Sequence, residues 1–365
     1  MIMGVTHRRR IVLVSLLVGL VVTLDPRPEI AGAPRAANGV VLLGTIEVAG
    51  TVWHLRLDDA GRRLALSTVR YPENELQRNE LSLYALPASG TLAERPVVAL
   101  TRDIDDAEAM ALSPDGDWLA VACGSDVCLQ GWGAAGTERR LVGVGRRREL
   151  GALALRPDAK LLVAAQRNRM EVLVWDLPDG PRRQWVVASG GERVREWVTP
   201  RLHGQPPWTP RWVGVSRDGQ RIGSIRDDGT ISLWGRDGRS IVSRLLSRYA
   251  DLEPAFASDD RLVALRVGDR RLNVIDVESD RVLLSVTDPL SKSMRRAALL
   301  FGRDQGYLAV SSAGGVALHA VPSGEVAAII PEAEPVWRLA MNGQGRVMAV
   351  GTQHRVTIWS LTGER

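Results

Sequence analysis

Five histidines, two cysteines, one serine in an elbow-like context and a few loop carboxylates are the residues of this 365-residue chain whose types could support chemistry. His7, His54, His203, His319 and His354 never stand at HxH or HxxxH spacing, so the sequence offers no dedicated zinc site. Ser216 in GVSRD approaches a nucleophile elbow but lacks the final glycine, and it reads as a turn serine equivalent to Ser113. Asp105, Asp106, Glu108 and Glu253 stand near the starts of strands; without a convergent cluster they read as solvated loop charge. The glycine-rich pieces GVGRRR at Gly143 and NGQGR at Gly343 lack the strand-to-helix context of a phosphate cradle. The sequence therefore predicts no catalytic, metal or cofactor-binding residues and no cofactor. Cys123 and Cys128 flank Gly124 to Val127 at the tip of a predicted hairpin, where directly opposed residues can be bridged, and a disulfide is expected there.

The elements that hold these residues repeat. Turns end at Gly61, Gly116, Ala159, Gly219 and Gly345; the third residue after each is Leu64, Leu119, Leu162, Ile222 or Met348, and the next is small. Before the turns, Leu55 and Leu57, Met110 and Leu112, Leu153 and Leu155, Val213 and Val215, and Leu339 and Met341 alternate with period two, which means strands. A second column runs Tyr84, Gln130, Trp175, Trp234, Ile275, His319 and Trp359, at intervals of 46, 45, 59, 41, 44 and 40. All but one fit the ~40 to 50 residues of a four-stranded blade. The expectation is an all-β, seven-bladed β-propeller.

The last unit stops after its third strand, at Leu361, so its fourth must come from elsewhere. Gly39 to Thr45, an orphan strand before the first repeat, is expected to pair with Val356 to Leu361 and close the ring. Trp175, Trp234 and Trp359 are expected to fill the wedge between blades, and Trp53 and Trp337 to pack at the starts of innermost strands.

SPDG at Gly116 and LVWDL at Leu177 resemble WD40 repeats and related TolB-like bacterial propellers, over about Gly39 to Leu361. Only Trp175-Asp176 is a true Trp-Asp pair, and the Gly-His dipeptide and buried Asp of regular repeats do not recur, so the chain resembles a degenerate member. The resemblance implies a fold and a general capacity for interaction, without a partner surface that can be carried over.

HRRR at His7 to Arg10, the apolar run Ile11 to Leu24 and the Pro- and Ala-rich residues after it have the order of a secretory signal. The run is short against the ~20 residues of a membrane span, which favours cleavage near Ala36 or Ala37 over an uncleaved anchor. Domains are thus 1–37, a signal peptide or signal anchor, and 38–365, the propeller, exported to the periplasm or outside the cell. Of the formal charge of +5, residues 1–37 hold +3, and the remainder is dispersed without a basic stripe. Nucleic acid is not an expected partner.

Two departures from the period are where a binding face is expected. Ala188 to Pro210 carries Arg193, Arg195, Trp197, Arg201, His203 and Trp208; Tyr71 to Glu80, with Tyr71 and Arg78, lies between the middle strands of blade one. Trp and Arg are favoured interface anchors. The expected function is a non-enzymatic platform for a protein or peptide partner, as part of a membrane complex if the anchor is retained. The alternative is an extracytoplasmic propeller enzyme, lactonase-like or quinoprotein-like, with its site at the channel mouth.

Overall fold

The computed structural model describes residues 40–362 apart from 71–77, 87–97, 103–108, 124–125, 132–137, 142–149, 157–160, 167–170, 177–184, 189–209, 217–218, 227–229, 246–254, 257–260, 268–270, 280, 288–298, 302–306 and 313. Every regular element among the described residues is a strand. The first, β1 (Val41–Glu47), belongs with the last three. Sheet one is β2 (Thr51–Leu57), β3 (Arg63–Arg70), β4 (Arg78–Ala85) and β5 (Val98–Arg102); sheet two is β6 (Met110–Leu112), β7 (Trp118–Cys123), β8 (Asp126–Gly131) and β9 (Glu138–Leu141). Sheet three is β10 (Leu150–Leu155), β11 (Leu161–Gln166), β12 (Glu171–Asp176) and β13 (Trp185–Ala188); sheet four is β14 (Pro210–Val215), β15 (Arg221–Arg226), β16 (Thr230–Gly235) and β17 (Ser240–Leu245). Sheet five is β18 (Ala255–Phe256), β19 (Leu262–Val267), β20 (Arg271–Asp276) and β21 (Arg281–Thr287); sheet six is β22 (Leu299–Phe301), β23 (Tyr307–Ser312), β24 (Gly315–Ala320) and β25 (Val326–Pro331). Sheet seven is β26 (Arg338–Met341), β27 (Val347–Gly351), β28 (Arg355–Ser360) and then β1. Pairing is antiparallel throughout.

The two sequence columns meet across the middle pair of strands in every sheet. Leu64 lies opposite Tyr84, Leu119 opposite Gln130, Leu162 opposite Trp175, Ile222 opposite Trp234, Val263 opposite Ile275, Leu308 opposite His319 and Met348 opposite Trp359. The large residue after each turn and the small one beside it point to opposite faces, as strand alternation requires. Leu64 packs with Ala349 and Ile358 of sheet seven, whereas Ala65 packs with Met110 and Leu112 of sheet two. Leu162 likewise faces sheet two and Val163 faces sheet four. Each sheet thus presents bulk to its predecessor and a small side chain to its successor. Burying each such Leu contributes roughly 1.5–3 kcal/mol.

First strands lie beside first strands: β2 meets β26 and β6, β10 meets β6 and β14, and β22 meets β18 and β26. The turns after them reinforce this contact. Gly116 has a positive φ of 74°, and an added Cβ there would stand 2.7 Å from Arg63 Cδ of the preceding sheet. Gly219, with φ 68°, meets the Arg156 side chain of sheet three in the same way. A glycine ending these turns therefore answers both a backbone need and a close approach.

The structure corrects three boundaries or placements. The orphan strand spans Val41–Glu47 rather than Gly39 to Thr45; it pairs with β28 from Val41 opposite Ser360 to Glu47 opposite Arg355, and Val48 N–H continues the contact to His354 O at 2.8 Å. In the expected loop Tyr71 to Glu80, Arg78 to Glu80 are strand, because Arg78 pairs with Arg70 and Glu80 with Thr68. Cys123 and Cys128 are not directly opposed: Cys123 lies opposite Asp126 and Cys128 opposite Val121, which puts the two cysteines one diagonal step apart on one face.

Candidate functional site

Each sheet has two edges: an upper one, where first strands begin and second strands end, and a lower one, where the turn columns lie. At the lower edge the buried polar residues serve the scaffold. Asp58 Oδ1 accepts the N–H groups of Arg62 at 2.7 Å and Arg63 at 2.9 Å, and Asn342 Oδ1 accepts those of Arg346 and Val347. Ser113 Oγ accepts from Trp118 N–H, and Ser216 Oγ from Arg221 N–H, both at 2.9 Å. Four residues in one column thus cap four equivalent turns, which accounts for Ser216 as a turn serine. Burial pushes the Asp58 carboxyl above its ordinary value, against the pull of the two amides and of Arg63. Asp276 goes the other way: hydrogen bonds from Arg261 hold it at about 2 despite its burial, while its second oxygen accepts from Glu278 and Ser279 N–H.

The lower edge also ties neighbours together. Arg63 reaches Asp117 of sheet two, Asn342 Nδ2 donates to Asp59 O of sheet one at 3.2 Å, and Tyr307 O–H donates to Gly345 O of sheet seven at 2.9 Å. Arg221 and Glu278 pair at 2.8 Å between sheets four and five.

The upper edge differs. Trp53 and Trp337 are half-buried rather than fully packed, unlike Trp175, Trp234 and Trp359, which are buried. The reason for Trp53 is a bulge: the β2–β3 register shifts between Val52 and His54, and the extra residue is Trp53. Arg338 of sheet seven donates from Nε to Trp53 O at 2.5 Å and from another nitrogen to Trp337 O at 3.0 Å, with its guanidinium carbon 5.8 Å from the Trp53 ring centre. The connection from sheet six to sheet seven is pinned by Glu332, whose side chain is 2% exposed. It accepts from Thr357 O–H and pairs with Arg355 at 3.2 Å, and Trp359 Nε1 donates to Thr357 Oγ1 at 2.8 Å. A tryptophan-centred network therefore stands in sheet seven without a Gly-His dipeptide, and nothing in the turn columns signals Glu332.

Both departures from the period open at this edge. The connection 189–209 leaves after Ala188 at the end of β13 and returns at Pro210 at the start of β14; 71–77 joins the end of β3 to the start of β4. Arg193, Arg195, Trp197, Arg201, His203, Trp208 and Tyr71 lie outside the described residues, as do Asp105, Asp106, Glu108 and Glu253. Arg78 opens β4 opposite Arg70, which pairs with Glu80 at 2.9 Å. Among the described histidines, His54 is buried on β2, His319 Nδ1 lies 3.1 Å from Gly324 O, and His354 is in the turn before β28. No three metal-ligating side chains gather among the described residues.

No family model and no curated protein matches the chain. Among solved structures, 1711 chains are similar, so the likeness is to a widespread architecture. One is the crystal structure of the β-propeller domain of Cps50 (Swd1) from Myceliophteria thermophila, with a TM-score of 0.65 and 15% identity, covering 88% of this chain and 100% of that one. At that identity the likeness speaks for the fold alone: the chain has an all-β, β-propeller fold.

Proposed function

We propose that the protein is a seven-bladed, TolB-like propeller that works outside the cytoplasm as a non-enzymatic platform, binding a protein or peptide on its upper edge through residues 189–209 and 71–77. The observation that carries this reading is the division of labour between edges. Polar side chains that recur with the repeat are consumed by turn caps and by ties between sheets, so the residues that depart from the repeat are left to serve recognition. Trp197, Trp208, Arg193, Arg195 and Arg201 have the types that anchor interfaces.

Ring closure by β1 is part of this reading. It is supported by the pairing of β1 with β28 and by Asn342 packing on Gly61 as Asp58 packs on Gly116. Export rests on His7 to Leu24, through cleavage or as an anchor that would place the platform in a membrane complex. An oxidising compartment suits a Cys123–Cys128 bridge, whose two positions lie one diagonal step apart across the β7–β8 pair.

The test is Arg195→Ala with Trp197→Ala, assayed by affinity co-purification from native membranes and by thermal melting. Loss of a partner held by the wild type, with an unchanged melt, is the expected outcome. Retention of that partner, or a collapsed melt showing that Trp197 is a packing lid, would refute the assignment of this surface.

A further inference from the structure

Charge that is dispersed along the sequence is gathered by the fold. Three pieces of chain meet the upper edge of sheet three: the connection 142–149 enters β10, the turn 167–170 joins β11 to β12, and the connection 189–209 leaves β13. Leu150 lies opposite Gln166, Val172 opposite Ala165 and Glu171 opposite Ala188, so the three pieces start from adjacent strand ends. Paired strands stand about 4.8 Å apart, and the four strand ends therefore fall within about 15 Å.

The first piece carries Arg146, Arg147 and Arg148, the second Arg167 and Arg169, and the third Arg193, Arg195 and Arg201. Against these eight arginines stand Glu149, Glu192 and Glu196, which leaves an excess of five positive charges. These residues lie outside the described ones, and the strands that they join place them at this edge. The excess does not require any single arginine to be unpaired, since matching all three carboxylates still leaves five guanidinium groups. Glu171 at the head of β12 and Arg211 near the start of β14 offset each other.

Sheet one has the opposite character. The turn 71–77 and the connection 103–109, which runs from sheet one to sheet two, hold Glu73, Glu75, Asp103, Asp105, Asp106 and Glu108 and no basic residue. With Arg70, Arg78, Glu80 and Arg102 at the flanking strand ends, an acid excess of four remains. By the same count of entering connection, turn and leaving connection, sheets two, four, five, six and seven each hold two net charges or fewer. Sheet two packs on both sheet one and sheet three. The upper edge is thus polarised across three neighbouring sheets, acidic over the first and basic over the third.

We infer that the segment a partner lays over sheet three is acidic, a stretch of peptide rich in aspartate and glutamate, received where three arginine-bearing pieces of chain converge. This rests on the platform reading and names the chemistry of its partner. Arginine suits the task because its planar fork matches a carboxylate, and an excess of one sign on an edge steers the opposite sign toward it. A protein partner fits better than a nucleic acid. A phosphate chain long enough to cross the edge would meet the acids over sheet one, whereas a polypeptide can present basic residues there.

The experiment titrates the full chain with a blocked, labelled peptide of glutamates spaced by glycines and reads fluorescence anisotropy at low and high sodium chloride. Peptides with glutamine or lysine in place of glutamate are the counterparts, and single-stranded oligothymidylate is the polyanion of the other class. Saturable binding of the glutamate peptide that weakens with salt, and none of the glutamine or lysine peptide, is the expected result. Arg146→Gln with Arg147→Gln and Arg148→Gln, and separately Arg167→Gln with Arg169→Gln, should each weaken it about tenfold or more while the thermal melt is kept. Absence of saturable binding, undiminished affinity in both folded variants, or oligothymidylate bound as tightly as the peptide would overturn the inference. If the glutamate peptide fails while Arg195→Ala with Trp197→Ala still releases a co-purified partner, the acidic class falls and the platform reading stands.

Discussion

Gly116 concentrates what the repeat asks of a single residue. Its positive φ disfavours any side chain, and the space a Cβ would need is held by Arg63 and Asp58 of the previous sheet. Gly116→Ala should therefore destabilise by about 1–3 kcal/mol, read from the shift of the urea midpoint at constant slope. Gly314, with nothing near its Cβ position, is the matched control and should lose far less. Asp276 contributes to the acid limb of stability. Its folded value of about 2 lies below the ordinary 3.8, so the Arg261 contribution is complete above about pH 4 and is lost as pH falls toward 2. Asp276→Asn should flatten that slope and cost about 1–2 kcal/mol at neutral pH, a figure reduced for the half-exposed Arg261 side chain. Asp58 has the opposite sign, since burial raises it and protonation on acidification relieves the cost of its charge. Urea titrations of the wild type, Asp276→Asn and Asp58→Asn from pH 2 to 7 separate these effects; an unchanged acid slope in Asp276→Asn would remove Asp276 from the account.

At the scale of elements, the connection Glu332 to Val336 shows how a crossing between two sheets is fixed. Glu332 is buried against Thr357 and Arg355, so Glu332→Ala leaves Arg355 without its carboxylate and Thr357 without its acceptor. The expected loss is about 2–4 kcal/mol, against under about 0.5 for exposed Glu47→Ala, measured by urea unfolding. The period-two columns made the strands, their turns and the pairing of β1 with β28 legible, because the large residues after the turns, Leu64, Leu119, Leu162, Ile222 and Met348, are all buried. The two-residue offset of β1 has a physical source: Val40 packs on the core of sheet seven without joining the ladder, while Val48 extends the contact beyond it. The half-buried state of Trp53 was not legible, because a bulge leaves no mark on apolar alternation. The Glu332 network was hidden for another reason. Its residues come from a connection and a strand 25 positions apart, with no dipeptide to flag them.

For the whole molecule, every buried apolar cluster among the described residues joins side chains of neighbouring sheets. If the proposed closure holds, stability is shared among the sheets, and the β1–β28 pairing is the link that tests it. Removing Val356 to Arg365 takes away β28, the partner of both β1 and β27, and should abolish the cooperative melt followed by circular dichroism. The most direct test of a closed scaffold keeps the chain intact and follows native-state amide hydrogen exchange at Ile46 on β1 and Val356 and Ile358 on β28, beside Leu64 and Leu119 in sheets one and two. Closure predicts that all five amides exchange only through global unfolding, with one common free energy and one common denaturant dependence. Exchange at Ile46 and Ile358 through a local opening several kcal/mol below that of Leu64 and Leu119 would contradict it.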